Sequence, residues 1–339
     1  MDGPHSASIK STTKSGRLAR LLRYAKWPLW ILGLGLFVSL ILDQGVGELL
    51  AALSKIGWAI VFICVYHAIP LLLNTLGWWI LLENPAAVGL GRLFLFRWIC
   101  QSANNLLPVA QVGGEFVRAR LLAGFTGGTA AAASVVVDFT LGILTQAIFT
   151  IIGVLLLISL IGTGEQTQNL LFGALIALVP LVLFYVVQRL GMIGTGAKFV
   201  SSLLPGEKWQ QLVGGVHTVN ETVMSLYRRH VLILSSSALR LLAWFSCAVE
   251  TWLTFYFLGH PIGVSDAIIF ECVGYAARSM AFVIPGAVGV TEAALVLAGG
   301  LMGIGAGPSL VLAMVKRIRE LFIGIPGLLL WLALENRKT

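Results

Sequence analysis

A chain of 339 residues in which 58% of side chains are hydrophobic and 11% charged lacks the polar surface of a water-soluble domain, where about a quarter of residues are charged. Apolar stretches of about 20 residues, long enough to cross a bilayer, recur from end to end, so the chain reads as an integral membrane protein with no soluble domain. The net charge of +8 gathers at the ends of apolar segments, where it faces cytoplasm and anionic headgroups; no basic run interleaves with aromatics, which argues against nucleic acid as a partner.

Residues 1–26 form a basic leader (Lys10, Lys14, Arg17, Arg20, Arg23 and Lys26 against Asp2), which the positive-inside rule keeps cytoplasmic. The apolar run from Trp27 to Leu42 lies behind that leader without a small-residue cleavage site, so it predicts a first membrane helix and not a cleaved signal. A loop with Asp43, Glu48 and Lys55 leads to a second helix over Trp58–Leu82, kinked at Pro70. Leu93–Leu107 and Val109–Leu122 are each too short or too polar to cross alone. The first ends in Asn104-Asn105-Leu106-Leu107-Pro108, and the second carries Gln111, Gly113, Gly114, Glu115, Arg118 and Arg120. A re-entrant hairpin over about 93–124 accommodates both, since irregular backbone at membrane depth survives only inside protein or beside water. Thr129–Leu160, with Asp138 in its apolar run, closes a first membrane repeat over 27–160.

Residues 161–230 read as a link: a returning helix, Leu170–Val187, then an amphipathic segment between Lys208 and Arg229 lying on the inner surface. The second repeat, 231–339, holds a crossing helix over Val231–Leu258 with Arg240 and Glu250. It continues with a second hairpin over about 267–304, broken at Pro285, Gly286 and Gly289, and a last helix over Pro308–Leu334 ahead of a short basic tail. The predicted fold is all-α: a polytopic bundle of about six transmembrane helices and two re-entrant hairpins in inverted repeats, both termini cytoplasmic.

The two hairpins share a plan. Leu-Leu-Pro108 runs through six mostly small or apolar residues to Glu115, and Val-Ile-Pro285 does the same to Glu292. The flanking plan matches too, two crossings, a hairpin and one crossing and then the same again from the returning helix Leu170–Val187; three crossings precede that second unit, so it is inserted upside down. Inverted repeats with broken helices near the midplane place a substrate site between the repeats.

Ionised groups at the bilayer centre cost at least about 2.5–3.5 kcal/mol each. This chain carries many in apolar surroundings, among them Arg278, Lys316, Arg317, Arg319 and Glu320 beside Glu115, Arg118, Arg120, Asp138 and Glu292. Lys316 and Glu320, four apart, share a helix face. Two readings stand side by side. The groups are structural ion pairs, or, with Asn104, Asn105 and Gln111, they line a slot for a lipid headgroup. Arg92 and Arg97 read as anchors at a membrane end. Four scattered cysteines and five scattered histidines show no metal-ligand spacing, and neither a Walker A nor a G-x-S-x-G motif is present. No metal or cofactor, no ATP hydrolysis and no catalytic serine are expected.

The segment from Asn104 through Leu-Leu-Pro-Val-Ala-Gln111-Val-Gly-Gly-Glu115 to Arg118 and Arg120, with Ile284-Pro285-Gly286-Ala287-Val-Gly289-Val-Thr291-Glu292, resembles the hopanoid-associated HpnL-type membrane proteins. These look like a branch of the flippase-like family formed by the transmembrane region of lysylphosphatidylglycerol synthases. Ala287 departs from the resemblance, which implies glycine there. The resemblance implies lipid translocation across a bacterial inner membrane, with a hopanoid or phospholipid as cargo and hopanoid-biosynthesis proteins as partners. Aminoacyl transfer in that family belongs to a separate C-terminal soluble domain, absent before Thr339, so no synthase activity is expected. A membrane-embedded lipid-modifying enzyme, with Glu115 or Asp138 as base, and a non-catalytic partner of hopanoid synthesis remain the alternatives.

Overall fold

The computed structural model describes residues 34–107, 113–162, 218–281 and 284–336. Among the described residues every regular element is helical, as the composition predicts.

The chain enters through α1 (Leu34–Gln44), which meets α2 (Val46–Ile56) at 85° across Gly45. The loop expected after Asp43 is therefore mostly helix. Leu49 and Ile56 are buried on one face with Leu53 between them, a helical stripe. Glu48 in the first turn and Lys55 in the last each complement the helix dipole. Next, α3 (Ala59–Tyr66) and α4 (Ala68–Trp79) form one apolar span of 21 residues. Regular helix is interrupted at His67, where Pro70 supplies no N–H to the carbonyl of Tyr66. This is the predicted kink, displaced by three residues.

After the short α5 (Pro85–Val88), α6 (Leu90–Leu106) and α7 (Gly113–Thr126) form the first hairpin. They run antiparallel: Gly114 sits on Cys100 and Asn104 at one end, and Phe125 lies 6.0 Å from Phe96 at the other. The breaks expected at Gly113 and Gly114 are instead the first residues of α7, and Gly114 is a helix-contact residue. Pro108 and Gln111 lie outside the described residues, as do the predicted helix over Leu170–Val187 and most of the predicted amphipathic segment. The part of that segment seen, helix α9 at 218–227, does not offer its apolar face to headgroups. Val223 and Leu226 are buried against Leu81, Val137 and Leu141, whose side chains present a complementary apolar surface.

Helix α8 (Gly128–Ile161) and helix α10 (His230–Leu258) are long and apolar enough to cross a membrane. With the α3–α4 span they make three such helices, or four if the bent α1–α2 pair counts as one. The second hairpin is α11 (Val264–Met280), a 3-10 turn at Pro285–Ala287, and α12 (Val290–Leu301). The last helix, α13 (Ala306–Asn336), has 31 residues, about 46 Å of helix, with four of its five charges grouped in the middle. Small residues let the helices close up, as membrane packing favours. Gly327 of α13 lies on Ser102 of α6, Gly77 of α4 on Ser236 of α10, and Gly153 of α8 on Cys272 of α11.

The turn of the second hairpin breaks where expected: Gly286 and Gly289 have φ of +64° and +83°. Between them Ala287 has φ +48°, the single non-glycine in that region among the described residues. A Cβ there costs about 1–2 kcal/mol, of which glycine's greater unfolded-state freedom would return part. Ala287→Gly is therefore expected to raise the thermal unfolding temperature in detergent by about 1–2 °C; a fall would mean the turn is not strained.

Candidate functional site

A cavity of about 290 Å³ lies inside the bundle, walled by side chains from the His67 break and from α4, α6, α7, α8, α10, α11 and α13. The polar side chains on its wall and directly behind it fall into two halves.

The first half is built around Asp138, fully buried on α8. Its Oδ2 accepts from Arg97 Nη2 of α6 at 2.7 Å and from Arg118 Nη1 of α7 at 2.5 Å, and its Oδ1 pairs with Arg240 of α10. Glu115, one turn before Arg118 on α7, accepts Arg118 Nε at 2.5 Å. The guanidiniums of Arg118 and Arg97 lie 4.7 and 5.6 Å from the Trp78 ring centre, within cation–π reach of the indole. Asn74 takes Arg97 on its carbonyl at 3.0 Å and Arg240 on its side chain at 3.3 Å. Asn104 Oδ1 accepts from the N–H of Gly114 at 2.8 Å, capping the start of α7.

The second half holds ion pairs of α10, α11, α12 and α13. Glu250 is bound by Arg319 and, at 2.7 Å, by Nδ1 of His67, whose Nε2 faces Gln101 at 2.9 Å. A neutral ring with its proton on Nδ1 satisfies both contacts. Lys316 and Thr251 Oγ1 reach Glu271 at 2.6 and 2.5 Å. Arg317 donates to Glu292 at 2.5 Å, to Glu320 at 2.8 Å and to the Gly286 carbonyl at 2.7 Å. Arg278 pairs with Glu320 and donates to Asn105 Oδ1 at 3.0 Å, tying the second hairpin to the end of α6 in the first. Glu292 also accepts the Gly289 N–H at 2.7 Å, capping α12.

Of the residues the sequence singles out, Asn104, Asn105, Glu115, Arg118, Asp138, Arg278, Arg319 and Glu320 line this cavity. Glu292, Lys316 and Arg317 line a small adjoining pocket that shares Arg278, Arg319 and Glu320. Arg120 stands apart: its side chain is 75% exposed and paired with Glu335, because two residues along a helix turn it about 200° away from Arg118. Lys316 and Glu320, four apart on α13, each find a partner on α11, Glu271 and Arg278. Arg97, read as an anchor, belongs to the site. Five residues separate it from Arg92, about 140° around the helix, so Arg92 lies over Phe125 while Arg97 faces Asp138. His67, Gln101 and the placement of Arg240, Glu250 and Glu271 were not assigned to the site from sequence. The available signal was their ionised or polar character inside apolar spans.

Charges of opposite sign thus meet within hydrogen-bond reach throughout, offsetting the desolvation that burial imposes. A polar chamber of this volume matches a small headgroup or a few waters, not a whole lipid.

Residues 30–327 match the family model described as lysylphosphatidylglycerol synthase TM region. No curated protein and no solved structure matches the chain.

Proposed function

The chain belongs to the lysylphosphatidylglycerol synthase TM region family, as a membrane protein related to lipid metabolism or transport, and on that footing we propose that it translocates a lipid between leaflets. The observation that carries the proposal is the cavity itself: polar side chains of both hairpins converge in one chamber inside an otherwise apolar bundle, and Asn105 of one hairpin is bound to Arg278 of the other. In this reading the headgroup passes through the chamber while the acyl or polycyclic tail stays in the bilayer. The hairpins open from opposite sides as inverted repeats, alternately exposing the chamber. Both termini lie in the cytoplasm of a bacterium and the membrane is the inner one. The cargo is a phospholipid or, by the hopanoid-associated resemblance, a hopanoid, with hopanoid-biosynthesis proteins as partners. The reaction is transport, not covalent chemistry.

The test uses vesicles carrying the protein and a lipid with an NBD fluorophore, either phosphatidylglycerol or a hopanoid, bleached from outside by dithionite. Wild-type protein is expected to expose the protected inner pool of one of them. Glu115→Gln and Glu292→Gln keep the shape of each carboxylate and remove its charge; both are expected to fold and to lose at least about nine-tenths of the rate, because each leaves an arginine (Arg118 or Arg317) without one of the carboxylates that offset it as the chamber opens and closes. Two variants that transport as wild type would place the site elsewhere. Turnover of a lipid in detergent, where no leaflets exist, would make the protein an enzyme.

A further inference from the structure

The two halves of the chamber differ in charge. In the second half four carboxylates (Glu250, Glu271, Glu292, Glu320) face four cations (Arg278, Lys316, Arg317, Arg319), each engaged in at least one ion pair. The last-helix cluster that the sequence offers as a headgroup clamp is therefore matched charge for charge by its own partners, although Arg317 Nη2 is a buried donor without an acceptor there among the described residues. In the first half three guanidiniums (Arg97, Arg118, Arg240) face two carboxylates (Asp138, Glu115), so one positive charge is left over.

That surplus is accompanied by unused donors. Arg97 Nε and Arg240 Nε are buried and have no acceptor among the described residues, although Arg240 is only 4% exposed. A buried donor without a partner costs about as much as a lost hydrogen bond, so these two Nε groups, buried within arginines that line the cavity, mark a cluster that its own carboxylates do not fully satisfy. Three guanidiniums held by one shared carboxylate, two of them within cation–π reach of one indole, form rigid forks of the kind that grip tetrahedral oxyanions bidentately. The ligand that balances the surplus carries one negative charge.

We propose that the Arg97–Arg118–Arg240 wall is a phosphate site, and that its occupant is the phosphodiester of an anionic lipid headgroup. Only the lipid source of that phosphate rests on the translocation reading; the phosphate chemistry rests on the charge count and the open donors. A neutral polyol headgroup, such as a hopanoid side chain without phosphate, leaves the surplus charge unbalanced and is disfavoured. Glu115 sits on the same arginine that the phosphate would engage and competes with it. Its removal therefore raises the surplus to two charges while leaving Asp138 to hold the arginines in place.

The experiment uses the full chain in detergent and measures affinity for four probes: short-chain phosphatidylglycerol, the diacylglycerol with the same acyl chains, glycerol-3-phosphate and inorganic phosphate. Phosphatidylglycerol is expected to bind at least about ten-fold more tightly than the diacylglycerol, the factor that one charge-assisted contact represents. Arg97→Gln, which cancels the surplus, should erase that preference, and Glu115→Gln should strengthen it. The opposite signs matter, because a variant that merely loosens the fold weakens binding and cannot tighten it; Glu115→Gln alone decides the matter if Arg97→Gln does not fold. Equal affinity for phosphatidylglycerol and diacylglycerol, or no tightening in Glu115→Gln, overturns the site. Inorganic phosphate or glycerol-3-phosphate binding as tightly as the lipid, with the same ranking of variants, upholds the site and assigns it to a soluble anion. Selective binding in a protein that exposes no lipid in vesicles would retain the site and remove translocation. Lipid exposure without phosphate preference would do the reverse.

Discussion

Gly114→Ala is expected to open the first hairpin and to lower stability by about 3 kcal/mol, the sum of an overpacked contact and a lost helix cap. A Cβ at this position would lie 2.2 Å from the carbonyl oxygen of Cys100 and 2.8 Å from Asn104 Oδ1. The nearer atom belongs to the backbone of α6, so no rotamer change relieves it; α6 and α7 must separate. Separation also pulls the Gly114 N–H from Asn104 and shifts Glu115 and Arg118 relative to Asp138. Gly124→Ala, on the same helix with nothing within 4 Å of the added atom, is the matched control. It should stabilise by about 0.5–1 kcal/mol through helix propensity alone. Thermal unfolding of both variants in detergent checks the pair; shifts of the same sign would refute the close packing of the hairpin.

A comparable loss is expected at Arg319. Replacing it by methionine leaves the buried Glu250 with only hydrogen bonds such as that from the neutral His67 ring and no ion partner among the described residues, and breaking a buried pair from one side costs about 3–5 kcal/mol. Most of that is the penalty of an uncompensated carboxylate, not the strength of the pair. The double variant Arg319→Met with Glu250→Gln should therefore recover more than half of the loss, a strongly non-additive cycle. Unfolding midpoints of the wild type, both single variants and the double variant measure it, and additive losses would mean that the two side chains are not coupled.

Much of the bundle is legible in the sequence because membrane crossing imposes a length and a composition. The spans over Ala59–Trp79, Gly128–Leu160 and His230–Leu258 and both hairpins follow from apolar runs interrupted by proline, glycine and charge. The Glu115–Arg118 pair is equally legible, being three residues apart on one helix. The arrangement around Asp138 is not. Its partners lie 20 and 41 residues away on α7 and α6, with a third on α10, and no local pattern encodes which of many intramembrane arginines will face it. Arg97 shows the limit most clearly: position near a segment end suggested an anchor, while the angle around α6, visible only once the helix is known to begin at Leu90, turns it inward. Helix α2 was hidden for the opposite reason, its charged residues at the two ends imitating a loop.

The contact between α6 and α13 has a consequence for how the protein is made. Trp98 donates its indole N–H to the carbonyl of Ile323 at 2.8 Å across 225 residues of chain, and Gly324 and Gly327 press on Leu106 and Ser102 of the same helix. At roughly 5–20 residues per second, a ribosome needs about 10–45 s to deliver the helix that covers α6. Glu250 waits about 3–14 s for Arg319, 69 residues later. For that interval the half-built protein holds an uncovered hairpin and an unpaired carboxyl group in or beside the bilayer. Until the last helix arrives, the Glu250 carboxyl is cheapest in the bilayer as the neutral acid, so its ionisation comes with the docking of Arg319.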